Sequence, residues 1–213
     1  MMMKKTLCAL AMIGVAATAQ ASIFQNFNNV AAMPGDGWVL RNVSAPGGAA
    51  PNWAQGNENV FTAFAGADNA YIQANYNNGV DGGTIDNWLI SPIFSTTYVG
   101  EVSFWARADM AGGFRDTLSY GLSGGGDAAA DFTLSPTFQA LGDWTRYSVR
   151  VRGTGADTYA RFAIRYTGDN GAQSSANYVG VDSLDINLPE PGTPLMLGIG
   201  LIGLLAARRR AQR

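Results

Sequence analysis

Arg146-Tyr147-Ser148-Val149-Arg150-Val151-Arg152 alternates between polar and apolar side chains without a break. Side chains along a β-strand repeat every two residues. Tyr147, Val149 and Val151 therefore share one face, and the arginines with Ser148 share the other. Arg161-Phe162-Ala163-Ile164-Arg165-Tyr166 repeats the pattern, with Phe162, Ile164 and Tyr166 as the apolar set. Val102, Phe104 and Ala106 alternate with Ser103, Trp105 and Arg107 in the same way. Three half-buried strands predict an all-β fold.

Outward from these stretches, further strands are predicted at 23–28, 38–42, 60–65, 70–75, 88–94, 117–122 and 178–188. Turn clusters separate them: Pro34-Gly35-Asp36-Gly37, Pro46-Gly47-Gly48, Asn77-Asn78-Gly79, Asp81-Gly82-Gly83, Gly124-Gly125-Gly126 and Gly168-Asp169-Asn170-Gly171. Glycine and asparagine supply the positive φ that such turns need. Residues 45–52 and 124–130 read as long surface loops. Many short strands with this punctuation predict a jelly-roll β-sandwich, with a barrel as the alternative. Neither a repeat nor an internal linker interrupts residues 22–188, so they are expected to form one domain.

Both ends of the chain read as addresses. In residues 1–21, Lys4 and Lys5 precede the apolar run Leu7–Ala17, and Ala19-Gln20-Ala21 supplies a small-residue cleavage pattern. This is a secretory signal peptide, which implies Sec-type export. At the other end an apolar run, Pro194–Ala207, is followed directly by Arg208, Arg209 and Arg210. As a helix of about 14 residues it would reach roughly 21 Å, against about 30 Å of hydrocarbon, so it is expected to be a short transmembrane helix. The arginines would stay on the cytoplasmic side, which leaves residues 22–188 across the inner membrane.

Composition excludes several chemistries. The chain has no histidine and one cysteine, Cys8, inside the predicted leader. The rest of the chain therefore has no imidazole for a catalytic triad or a zinc site, no disulfide and no thiolate. Residues 22–188 carry 15 acids against 8 arginines and no lysine, a net charge of −7. A domain this acidic is a poor partner for nucleic acid.

Pro189-Glu190-Pro191, the short apolar helix behind it and the terminal arginines resemble the PEP-CTERM sorting tail of Gram-negative bacteria. The resemblance covers residues 189–213. It implies recognition by an exosortase-like processing enzyme, removal of the tail near the triplet, and an association with exopolysaccharide machinery. A second resemblance spans residues 24 to 188. Asp86-Asn87-Trp88-Leu89-Ile90-Ser91-Pro92, then 102–107, Asp116-Thr117-Leu118-Ser119, Trp144 and Val179-Gly180-Val181-Asp182-Ser183-Leu184 follow the order seen in choice-of-anchor J domains, which are similar to cleaved adhesin domains. It implies a jelly roll, no established catalytic residues, and surface display through interchangeable anchors.

Several residues are candidates for a site. Calcium takes six to eight oxygen ligands, and Asp182 on the last strand with Asn26 or Asn28 on the first are its candidate ligands. Trp53, Tyr71, Tyr76, Trp105 and Trp144 are candidates for stacking on sugar rings, with Trp105 outward of the set Val102, Phe104 and Ala106. Arg146, Arg150, Arg152, Arg161 and Arg165 fall on the outward phase of two strands. If those strands are neighbours, they form a basic stripe for an acidic polysaccharide, with Arg150 and Arg161 as its test positions; if the strands lie in different sheets, the stripe is split. A hydrolase would need two acids across a cleft. The sequence offers Asp109 with Asp116, and Asp182 with Asp185, the latter spaced to face opposite sides of a strand. The sequence thus reads as a non-catalytic exported protein of the cell surface or extracellular matrix, associated with exopolysaccharide or adhesion. A carbohydrate-binding module is the alternative, ahead of a jelly-roll glycoside hydrolase.

Overall fold

The two stretches that open the sequence reading meet in space. Phe104 stacks on Tyr147 at 5.6 Å between ring centroids and lies 5.8 Å from Phe162. In the computed structural model, which describes residues 22–50, 52–170 and 175–188, these rings sit between two antiparallel sheets. In chain order the strands are β1 (Ile23–Gln25), β2 (Val39–Asn42), β3 (Ala45–Gly47), β4 (Ala54–Gln55), β5 (Ile72–Asn75), β6 (Gly79–Ile90) and β7 (Phe94–Ser95). They continue with β8 (Gly100–Ala108), β9 (Thr117–Ser123), β10 (Thr133–Leu134), β11 (Phe138–Gln139), β12 (Thr145–Val151), β13 (Tyr159–Asn170) and β14 (Tyr178–Asn187).

Sheet A runs β12-β8-β14-β5-β4, with β1 also paired to β14; sheet B runs β10-β9-β13-β6-β2, with β11, β3 and β7 attached to β9, β6 and β13. The fold is the predicted all-β sandwich. The inward sides of β8, β12 and β14 bury Val102, Phe104, Ala106, Val151, Val179 and Val181, and β13 answers with Phe162, Ile164 and Tyr166. Fully burying a side chain of this kind contributes about 1.5–3 kcal/mol. The chain ends of the domain lie side by side. Ile23 pairs with Ile186, and the Ser22 hydroxyl donates to the Leu188 carbonyl while accepting from the Leu188 amide.

Five sequence expectations change. Asp81-Gly82-Gly83 and the 168–170 segment are not turns; they lie in β6 and β13, and Asp169 pairs with Thr84 and Asn170 with Gly83. Two long neighbouring strands extend each other through backbone bonds, which overrides the local preference for a turn. Residues 45–52 contain β3, which pairs with β6. Residues 60–65 are not a strand but part of a loop over sheet A. Phe61 is buried against that sheet, and Phe64 stacks on its Trp105 while staying exposed, without the backbone joining the ladder. Pro34-Gly35-Asp36 closes a 3-10 helix, Val30–Asp36, which buries Val30 and Met33 and ends at Gly37 with φ 85°. The predicted signal helix and the predicted transmembrane helix lie outside the described residues.

Candidate functional site

The outward face of sheet A is set by register. Arg146 on β12 pairs with Trp105 on β8, which pairs with Asp182 on β14. The next row is Ser148, Ser103 and Asp185, and the row beyond it Arg150, Glu101 and Asn187. Cross-strand partners share a face. Asp182 and Asp185 therefore point to the same side, contrary to their spacing of three. The cause is a β-bulge between them, with Ser183 held at φ 47°. The extra residue resets the phase, so Val179 and Val181 are in the core before the bulge, and Leu184 and Ile186 after it.

The loop between β4 and β5 covers one end of this face. Phe61 packs between Tyr71, Tyr178 and Trp144, and the Arg107 guanidinium lies 4.6 Å from its ring centroid. Gly180 makes the fit possible, because a Cβ there would sit 2.9 Å from both the Phe61 and Tyr71 rings. The Trp144 indole donates to the Thr62 carbonyl, and Tyr71 and Tyr178 share a hydroxyl contact of 3.0 Å. Burial holds the Tyr178 phenol far above its usual range. Further along, Phe64 stacks on Trp105 at 3.8 Å and 15°. The Ala65 amide donates to Asp182 Oδ2, and the Ser183 amide donates to Oδ1.

Beyond the loop the face is open. Phe64 is 42 % exposed beside Trp105. Arg146 Nη2 bonds Glu101 Oε1 at 2.8 Å, and Arg150 and Ser148 are exposed. Burial raises the Asp185 carboxyl, the Arg146 charge opposes that shift, and Glu101 adds to it. An aromatic edge beside mixed hydroxyls, carboxylates and guanidinium groups can hold a sugar ring by its carbon face and its hydroxyls.

The structure separates the sequence candidates. Trp105 and Arg150 lie on this face, whereas Arg161 and Arg165 are on β13 in the other sheet, so the arginine stripe is split. Arg161 ties loops together by donating to the carbonyls of Gly125 and Ser91. Trp53 and Tyr71 are core residues. Asp182 is fully buried, with its oxygens met by amides, and burial raises its carboxyl against those bonds. Asn26 and Asn28 follow β1, whose Gln25 pairs with Leu184, and both are exposed. Among the described residues no group of three or more acids forms a cage for a metal. Asp109 and Asp116 both hold Asn177: Asp109 accepts from its side-chain amide and Asp116 from its backbone amide. Asp116 is 1 % exposed, so this pair lines no cleft. The sequence reading missed Glu101, Asp185 and Phe64. Glu101 shares the phase of Ser103 and Trp105, which was the available signal. The bulge hid Asp185, and Phe64 sat in a loop read as a strand.

Residues 187–210 match the PEP-CTERM protein-sorting motif. The chain carries a PEP-CTERM sorting tail. Such a tail marks an exported protein sorted to the cell surface and implies processing by exosortase-like machinery. Among the described residues no helix is long and apolar enough to cross a membrane; the run 194–207 lies outside them. The chain is similar in structure to the K1 cleaved adhesin domain of Lys-gingipain from Porphyromonas gingivalis. The TM-score is 0.60 at 20 % identity, over 79 % of this chain and 99 % of that one. The K3 domain of the same protein gives a TM-score of 0.54 at 17 % identity, over 79 % and 100 %. These likenesses establish the fold, and they agree with the sequence resemblance to cleaved adhesin domains. No curated protein matches the chain.

Proposed function

We propose that this protein is a non-catalytic module of the cell surface or extracellular matrix, delivered by its tail and associated with exopolysaccharide through the open face of sheet A. The observation that carries the reading is the Phe64–Trp105 stack beside Arg146, Glu101 and Arg150, on a domain that ends in a sorting signal. The face favours binding over hydrolysis. It carries Glu101, Asp182 and Asp185; Asp182 is sealed beneath Ala65, and Glu101 is tied to Arg146.

The test has two arms. Deleting residues 189–213 is expected to release the protein to the medium or strand it in the periplasm; unchanged surface localisation overturns the sorting role. Phe64→Ala and Arg150→Ala, in the exported protein, are each expected to weaken co-sedimentation with the cell's own exopolysaccharide about tenfold, roughly 1.4 kcal/mol. Binding equal to wild type in both overturns the assignment of the face.

We also propose a structural calcium ion at Asp182. Its support is a fully buried carboxylate that has no ion-pair partner among the described residues, on a strand whose Leu184 pairs with Gln25, the residue before the 26–28 segment. The ion would take the place of the Ala65 amide at Oδ2.

A further inference from the structure

The outward face of sheet B is covered at one end and open at the other. At the covered end Trp88, Ile90 and Ala163 pack under Phe132 and Leu134. The Arg165 guanidinium lies over the Trp88 ring at 5.1 Å and closes that end. Arg165 is also locked to Asp86, Nε to Oδ1 at 2.7 Å and Nη2 to Oδ2 at 2.8 Å. Past this pair come rows of short side chains. Asp86 pairs with Thr167, which pairs with Thr117, and the next row is Thr84 with Asp169. Small β-branched residues between taller neighbours leave a groove of about 380 Å³, walled on its far side by Ser175.

We propose that this groove is a binding site for a neutral hexose unit. Its volume falls within the range of about 300–1,000 Å³ typical of small-molecule sites. The chemistry of the lining selects the ligand class. Thr84 and Thr167 carry hydroxyls that donate and accept, Ser175 accepts from the Asp169 amide and keeps its proton to donate, and Thr117 gives its proton to the Thr167 carbonyl and offers acceptor lone pairs. Asp86 offers acceptors. Arg165 offers Nη1, which makes no hydrogen bond among the described residues. A ligand whose every polar group is a hydroxyl can meet all of these. An anion meets the Asp86 carboxylate, and the Arg165 guanidinium beside it is already paired, so uronates and phosphates are disfavoured. The groove is preorganised, because the Arg165–Asp86 fork and the Trp88 ring fix its end wall before any ligand arrives. This site is on the other sheet from the face assigned above and stands without it.

The test is titration calorimetry on the exported protein recovered from cells, with the methyl glycosides of glucose, galactose and mannose, and with methyl glucuronide as the charged probe. At least one neutral glycoside is expected to bind ten times or more tightly than the glucuronide. Thr84→Arg places a long cation in the groove from an exposed position and is expected to weaken that binding at least tenfold without lowering the melting temperature. Thr84→Ser keeps the hydroxyl and is expected to keep the affinity. Three results overturn the proposal: no neutral glycoside binding at about 10 mM, roughly −2.7 kcal/mol; tighter binding of the glucuronide; or binding that Thr84→Arg leaves intact.

Discussion

Asp116 accepts hydrogen bonds from the Tyr166 hydroxyl at 2.6 Å and the Asn177 amide at 2.8 Å, and a longer one from the Tyr178 amide. Burial raises its carboxyl above the ordinary range, and these bonds pull the other way. Asp182 and Asp185 are raised as well, in each case first by burial. For each acid the folded chain binds its proton at a higher pH than the unfolded chain does. The resulting stability is full below the unfolded value and is lost as pH rises through the folded value. The melting temperature is therefore expected to hold or rise as pH falls from about 7 to about 5, and a marked fall in that window would contradict the account. Asp116→Ala would strand three donors at about 1–3 kcal/mol each, so a loss of several kcal/mol is expected in denaturant unfolding. The sequence carried the identity of these acids but not their burial. Asp116 stood in the sequence as one of a candidate acid pair with Asp109, and only its bonds to Tyr166, Asn177 and Tyr178 show it to be a buried structural carboxylate.

The strand β14 shows how far periodicity can be trusted. Its ends were legible, because 178–188 is apolar in alternation on either side of Ser183. The bulge was not, since one extra residue changes no composition and only shifts the phase. The loop over sheet A was misread for a related reason: alternation reports which side chains are covered, not whether the backbone joins a ladder. Loop and bulge meet at the Ala65–Asp182 contact, so the calcium proposal is tested there. Chelator is expected to lower the melting temperature of the wild type by several degrees, the size set by roughly 2.7 kcal/mol at a hundredfold excess of metal over its dissociation constant. Asp182→Asn is expected to abolish that response. A wild-type melting curve indifferent to chelator and to added calcium would remove the ion from the account.

The two-sheet architecture was readable from alternation and glycine punctuation, and the sorting tail was readable from the C-terminal end. The allocation of strands to sheets was not. β12 and β13 are adjacent in sequence and alike in pattern, yet they belong to opposite layers, so arginines that look like one stripe serve two faces. Because the only cysteine is Cys8, stability of the domain 22–188 owes nothing to disulfides. Melting with and without reductant is expected to coincide, and a reductant-dependent shift would show that some other covalent link is present. One consequence follows from where the sequence leaves the sandwich. β14 is an interior strand, bonded to β8 along one side and to β5 and β1 along the other. Tension applied through the segment that follows Leu188 would enter the body along β14. Such a strand does not peel like a zipper from a rim; its two rows of bonds must shear together. A domain moored this way meets drag along both of those seams rather than at a rim.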